Sequence, residues 1–546
     1  MNKKNNLTTK GTFDLAYQNH QKNNFQVAEN YYRKILKADP KHFESTYLLG
    51  TLLLQTNKFK MAKEMLEKSI QINPDKVDAY NNLGITLQKL GEFQESIECY
   101  QKAIEIRPDY AYAHNNLGNT LKELKKFKEA KNHYQKVIKI KPDFIDAHKN
   151  LMQMFETMNQ DEELKDAILK ARTLIKDNPI INLYEGILLC KNEKFAEAKN
   201  CLESISFGSR EINKEILRVS NLAKCYDRIG DYEKAFDFFL KTNDLAPQKT
   251  DVENFDKGRF LKEIRIRGEF FKKFKMDERH TLKSSNKRAD PIFLIGFPRS
   301  GTTLLDVILD SHPKVEVIEE KNIVGKLINS LNELPGGNLE CLKNMQNDQL
   351  KKIRDVYFDS LESTIKNKSN SKIYIDKFPL NIVYVGEIVR VFPNSKFVLS
   401  LRHPCDCVLS CFMQNFQLND AMANFLNLED SAHLYDAVMN LWTQYTSIFS
   451  INYHEVKYEN LVENFERTVR SVLDFLGLSW NSSLLEYSKT AKERIRISTP
   501  SYHQVIKPLY SHSSGRWKRY EKQTANVYPI LEPWIKKFNY YVHSKT

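Results

Sequence analysis

The sequence predicts an α plus α/β molecule: a helical repeat solenoid first, then a three-layer α/β/α domain built on a parallel sheet. Three observations carry this. Prolines recur at Pro40, Pro74, Pro108 and Pro142, one every 34 residues. From Pro291 onward, short apolar runs alternate with helical stretches, the pattern of strands separated by crossover helices. The first of those runs opens directly onto a glycine loop, GFPRSGTT, Gly296 to Thr303.

The repeat half is periodic at other positions too. Leu-Gly pairs stand at Leu49-Gly50, Leu83-Gly84 and Leu117-Gly118, and Leu151-Met152 holds the same slot. Small residues keep the register at Ala28, Ala62, Ser96 and Ala130. Each unit reads as two amphipathic helices, with the glycine and the small residue letting the backbones approach closely. The proline is expected near the start of the following helix. This pattern resembles the tetratricopeptide repeat. After Pro142 it decays, leaving a degenerate fifth unit, but Gly186 with Ala198, and Ala223 with Ala235 and Pro247, restore the spacing. Six or seven helical hairpins are therefore expected between residues 8 and 247. The resemblance implies a groove for a protein or peptide partner, which could be the acceptor of a reaction. The repeat-defining residues themselves only pack the hairpins.

Residues 1–247 are thus assigned to the solenoid, 248–289 to a helical linker and 290–546 to a catalytic domain. In the linker Phe260, Ile264 and Phe271 fall at roughly helical spacing, and the basic run is expected to be a solvated helix face. In the last domain PIFLIGF is the first strand and TLLDVILDSH the helix behind the loop. SKIYID (371–376), SKFVLSL (395–401) and EVKY (455–458) supply further strands.

Composition excludes little. The net charge of +13 is spread over a Lys-rich chain, with no basic tract interleaved with aromatics, so no nucleic-acid partner is expected. The longest apolar runs fall far short of the ~20 residues of a membrane span. The polar start MNKKNNLTTKG has no apolar signal core. Eight irregularly spaced cysteines suggest a reducing, cytoplasmic setting. Cys405, Cys407 and Cys411 lack a second paired element, so they read as packing residues rather than a zinc site.

The glycine loop nearly matches the nucleoside-triphosphate P-loop, but Thr302 stands where that loop carries lysine. A strand, a glycine loop and a helix aim backbone N–H groups and the positive helix end at an anion. With Arg299, Ser300, Thr302 and Thr303 around it, the loop suits a compact tetrahedral group rather than a metal-bridged polyphosphate. No acidic magnesium ligand at the end of a strand stands out.

These residues resemble the sulfotransferases that use 3′-phosphoadenosine 5′-phosphosulfate (PAPS). That family's phosphosulfate loop reads PRSGTT, and its second signature sets an Arg and a Ser eight residues apart on the 3′-phosphate, as Arg402 and Ser410 stand in FVLSLRHPCDCVLS. The whole chain is similar to proteins with tetratricopeptide repeats fused to a sulfotransferase domain, related to tyrosylprotein sulfotransferases. The resemblance implies PAPS as co-substrate without a metal. It places the cofactor on Arg299, Ser300, Gly301, Thr302, Thr303, Leu304, Arg402, Ser410, Tyr458 and Arg516. It implies Glu320 as general base, with Glu319 as the fallback, and Arg299, Lys377 and Ser501 at the leaving group; Ser498 and Thr499 lie near Ser501. His312 is read as capping or packing the end of the first helix, and His403 as shaping the loop after the strand. Where the protein-tyrosine enzymes carry an Arg two residues after the base, this chain has Asn322. Sulfation of a protein tyrosine and of a carbohydrate or small-metabolite hydroxyl both stay open, as do a degenerate P-loop kinase and a non-catalytic repeat scaffold.

Overall fold

A computed structural model describes residues 8–249, 254–274, 288–365, 372–493 and 514–540. Two compact units emerge, Met1–Ile205 and Ser206–Thr546. The division lies upstream of the boundary at 247 expected from the repeats.

The first unit holds six helical hairpins, from Thr9–Gln21 with Phe25–Ala38 to Pro179–Lys191 with Phe195–Glu203. The recurrent glycines are sites of close approach. A Cβ added at Gly84 would lie 2.6 Å from the Tyr100 ring, and one at Gly118 would lie 2.7 Å from Tyr134. Those rings are fully buried. The prolines are not at the first helical positions. Pro40, Pro74, Pro108 and Pro142 stand two residues ahead of the N-caps His42, Lys76, Tyr110 and Phe144. There the fixed φ of proline shapes the turn between hairpins. The freed carbonyls are used as well: His114 Nε2 donates to Pro108 O at 3.1 Å and His148 Nε2 to Pro142 O at 2.8 Å. The turn inside each hairpin has its own period, with positive φ at Asn23, Asn57, Gly91, Lys125, Asn159 and Glu193.

A seventh hairpin, Ile212–Ile229 with Tyr232–Leu245, belongs to the second unit. It is followed by the linking helix Lys257–Lys273. The expectation of a solvated basic face fails there at Arg267. Its buried guanidinium donates to Glu387 Oε1 at 2.8 Å and lies 4.6 Å from the centre of the Tyr384 ring. Phe271, also buried, packs on Tyr445 and against Gly386.

The sheet of this unit has five parallel strands: β1 (Ile292–Gly296), β2 (Val315–Glu319), β3 (Ile373–Lys377), β4 (Lys396–Leu401) and β5 (Asn452–Lys457). Their order is β2-β3-β1-β4-β5. Strand alternation sorts the residues into two faces. Leu294, Ile375, Val398 and Val456 join one apolar cluster with the helices Thr302–Asp310 and Phe465–Leu476. On the other face the Phe293 ring meets Phe397 and Tyr357, the latter from the helix Asn347–Glu362. Three layers result, with β1 central. The chain runs to one side of β1 through β2 and β3, then crosses to β4 and β5. The crevice beyond the carboxyl ends of β1 and β4 is therefore the topological switch point, where open α/β sheets collect their ligands.

Candidate active site

The loop after β1 is shaped by contacts that leave no room for side chains. A Cβ at Gly296 would lie 2.5 Å from Ser400 O, and one at Gly301 would lie 2.7 Å from Tyr458 Cδ2, with φ +100° at Gly301. Gly301 is also the N-cap of the helix Thr302–Asp310, so no side chain covers the first N–H groups of that helix. They form an anion site of the kind found at helix N-termini. Inside the loop, Ser300 Oγ is buried and has no hydrogen-bond partner among the described residues. A buried hydroxyl in that state is costly unless a ligand satisfies it. Thr302, Thr303 and Leu304 follow at the buried start of the helix.

Strand β4 delivers the second cluster to the same crevice. Ser400 Oγ donates to Ser300 O at 3.0 Å, and Arg402 Nη1 donates to Arg299 O at 3.2 Å. Arg299 Nε in turn donates to Ser410 Oγ at 3.1 Å, and the Arg402 guanidinium lies 5.0 Å from the centre of the Tyr458 ring. The loop Gly296–Thr303, the pair Arg402 and Ser410, and Tyr458 are thus brought together, although Ser400 and Ser300 are 100 residues apart. Arg299 sits at φ 68°, a conformation seldom adopted by a non-glycine residue.

A second group forms at the adjoining strand ends. Glu319 closes β2 in register with Lys377, and Glu320 N donates to Lys377 O at 2.8 Å. The Lys377 side chain is fully buried, its Nζ 2.9 Å from Glu320 Oε1 and 3.5 Å from both Glu319 Oε1 and Asp306 Oδ2. Burial alone would depress the lysine pKa. Asp306, Glu320 and Glu319 more than offset it, holding the pKa above the ordinary lysine value. Of the two glutamates Glu320 is the more exposed, at 29% against 13% for its side chain. Glu320, just past the end of β2, sits at φ 46°, in the left-handed region. Next to Lys377 but on the opposite sheet face, Asp376 accepts from Tyr357 Oη at 3.1 Å. Burial pushes its pKa up to about 7.

Arg516 is placed differently from the cofactor loops. Its Nη2 is 2.9 Å from Asp227 Oδ2, in the hairpin helix Ile212–Ile229, and Tyr520 Oη donates to Asp227 Oδ1 at 2.6 Å. The neighbouring backbone is tied to the Arg402 loop instead. Asp406 accepts from Gly515 N at 2.7 Å and Trp517 N at 2.9 Å, and the Trp517 ring stacks on His403 at 5.1 Å. Burial lowers the His403 pKa to about 4. His312 Nε2 donates to Ser479 O at 3.0 Å while Nδ1 accepts from Lys314 N. Cys411 Sγ donates to Pro298 O at 3.3 Å, packing the loop from behind. Ser501 lies outside the described residues. Sequence reasoning missed Asp306, Asp406 and Asp227. Asp306 did leave a signal, a lone charge in the apolar helix TLLDVILD.

Residues 291–482 match the model of the Sulfotransferase family, residues 75–143 that of the Tetratricopeptide repeat, and residues 21–103 that of Anaphase-promoting complex, cyclosome, subunit 3. An uncharacterized protein of Aquifex aeolicus (strain VF5) is 31% identical over 58% of this chain and 41% of its own length. Protein-tyrosine sulfotransferase 2 of Gallus gallus is 26% identical over 44% of this chain and 67% of its own length. The chain therefore spans less than half of the first relative and about two thirds of the second. Among solved structures, a crystal structure of MamA is 29% identical with a TM-score of 0.28, over 29% of this chain and 92% of that one. No helix among the described residues is long and apolar enough to cross a membrane.

Proposed function

We propose that this chain, whose residues 291–482 match the sulfotransferase family behind a run of tetratricopeptide repeats, moves a sulfuryl group from PAPS to an acceptor hydroxyl. The observation that carries the reading is the two-loop crevice: Ser300 Oγ lacks a partner among the described residues, while Arg299, Arg402 and Ser410 converge from two strand ends. The residues fit the group. The helix N-terminus and hydroxyls after Gly301 would hold the phosphosulfate, and Arg402 with Ser410 the 3′-phosphate. Tyr458, against Gly301, would flank them.

Bound PAPS would supply an activated sulfuryl group; the other roles fall to side chains. Glu320 takes the acceptor hydroxyl proton, held ready by its hydrogen bond from Lys377. Arg299, Lys377 and the N–H groups opening the helix provide a preorganised positive field for the charge that develops on the leaving oxygen. Ser501 is assigned to the same task on the family resemblance alone. No metal is assigned, because these cations supply the field. Arg516, paired with Asp227, is assigned to the cofactor through the segment it anchors.

The repeat unit is proposed to recruit the acceptor as a protein or peptide, with a tyrosine hydroxyl as the leading case. A carbohydrate or small-metabolite hydroxyl is the second reading, favoured by Asn322. That residue occupies the N-cap position of the helix Ile323–Asn332, without a side-chain capping bond, where the protein-tyrosine enzymes have an arginine. A cytoplasmic setting is proposed from the irregular spacing of the eight cysteines.

The deciding experiment compares ligands and then transfers label. Adenosine 3′,5′-bisphosphate is expected to raise the melting temperature without metal, and ATP with magnesium to leave it unchanged. The reverse result would support a degenerate P-loop kinase. Isotope-labelled PAPS added to host extract is expected to mark one class of acceptor, read by mass spectrometry as peptide, sugar or lipid. No transfer to any component, with Glu320→Gln indistinguishable from the native protein, would leave a non-catalytic scaffold.

A further inference from the structure

We propose that Asp306 is a positioning residue: from the helix that opens the anion loop, it holds the Lys377 ammonium and through it aims the Glu320 carboxylate. The proposal rests on the sulfuryl-transfer reading of Lys377 and Glu320.

The helix Thr302–Asp310 is a buried apolar element in which Leu304, Leu305, Val307, Ile308 and Leu309 all lie in the core. Asp306 interrupts it, itself fully buried. A carboxylate survives in such a place only with a cationic partner, and Lys377 Nζ stands 3.5 Å from its Oδ2. The ammonium is equally inaccessible, so neither charge is balanced by water. Three elements meet at this one cation: the loop helix through Asp306, the end of β2 through Glu319 and Glu320, and the end of β3 through Lys377 itself.

That arrangement has a chemical consequence. With Glu320 as sole partner, the lysine could pass its proton across the 2.9 Å contact and leave a neutral pair, useless as base and as cation alike. Asp306 and Glu319 add negative potential on the lysine side and favour the charged state. Through Lys377, the orientation of the Glu320 carboxylate is fixed to the helix whose N-terminus carries the anion site. Proton acceptor and anion site are held in one frame, the alignment on which transfer rates depend.

The test uses the full chain with Asp306→Asn, an isosteric change. Lys377 is followed by carbon-13 lysine NMR, its resonance assigned by its loss in Lys377→Met. Its titration is expected to move down by about one unit or more when the Asp306 charge is removed. In labelled transfer kcat is expected to fall about 10- to 100-fold, with binding of adenosine 3′,5′-bisphosphate unchanged within about twofold. In a Lys377→Met background the same substitution is expected to cost nothing further, since its route is gone. An unmoved lysine titration, or an equal loss of kcat in both backgrounds, overturns the proposal. Should Asp306→Asn alone fail to fold, Lys377→Met/Asp306→Asn decides: recovered folding supports the link, and no recovery overturns it. If neither protein transfers sulfate to anything, the sulfuryl reading falls, while the lysine titration still decides the link to Asp306.

Discussion

Arg299 and Glu320 adopt a backbone that side chains avoid, and between residues 288 and 540 only Asn539 joins them among described non-glycine residues. Each costs about 1 kcal/mol or more, a strain that the surrounding structure has to support. Both stand at the crevice, so the strain falls where the proposed chemistry is. Glu320→Gln is expected to lower the transfer rate by about 100- to 10,000-fold, with cofactor binding retained, as checked by labelled transfer and calorimetry. Asp376 yields a pH prediction. Its folded pKa, about 7, is raised above the unfolded value, so the cost of ionising it is absent below pH ~4, grows as pH rises and levels off above ~7. Asp376→Asn should therefore gain on the native protein between pH 4.5 and 8, by on the order of a few kcal/mol in urea unfolding. At this scale the sequence shows Arg299, Arg402 and Ser410, because each loop signature is local. Asp306 and Asp406 escape it, since their partners, Lys377 in one case and Gly515 and Trp517 in the other, arrive only with the fold.

Helices and turns obey a simpler physics, and the repeats are where the sequence is most legible. The 34-residue period places the hairpins of the first unit because glycine or small residues mark where backbones touch, except in the degenerate fifth, where Met152 and Leu164 fill those slots. The prolines mislead by two positions ahead of the cap, since they serve the turn rather than the helix. The strand β2 is missed altogether: VEVIE carries Glu316 and Glu319 on what is a sheet edge, which hides its apolar content. The turn inside each hairpin supports an independent prediction. Asn or Gly fills the left-handed position in four of the six repeats, but Lys125 and Glu193 fill it in the others. Lys125→Gly and Glu193→Gly are each expected to stabilise the first unit by about 0.5–1 kcal/mol, measured as a shift in its urea midpoint. Gly84→Ala should destabilise it, because its Cβ would strike the buried Tyr100 ring.

For the whole molecule, the repeats suggest a boundary at 247, whereas the compact units divide between Ile205 and Ser206. The reason is chemical. Asp227, in the seventh hairpin, is the partner of both Arg516 and Tyr520, and Asn243 Nδ2 donates to Phe412 O at 2.9 Å. Sequence periodicity records the helical form of a hairpin, not the partners it packs with. A fragment of residues 206–546 is thus expected to unfold in one cooperative transition. A fragment of residues 248–546 should melt at lower temperature and be cut by protease after Gly515, a difference visible by calorimetry and limited proteolysis.

The Asp227–Tyr520 hydrogen bond joins residues 293 positions apart, and the Asp406–Trp517 bond spans 111. In terms of time rather than space, the first is the costlier loop to close, against 111 for Arg299–Ser410 inside the crevice, so it should form late. On refolding, the crevice between the two signature loops would be assembled before Tyr520 reaches Asp227. The pairing of Tyr520 with Asp227 would then report the final event, and the anion-binding loops would be the older, faster part of the same machine.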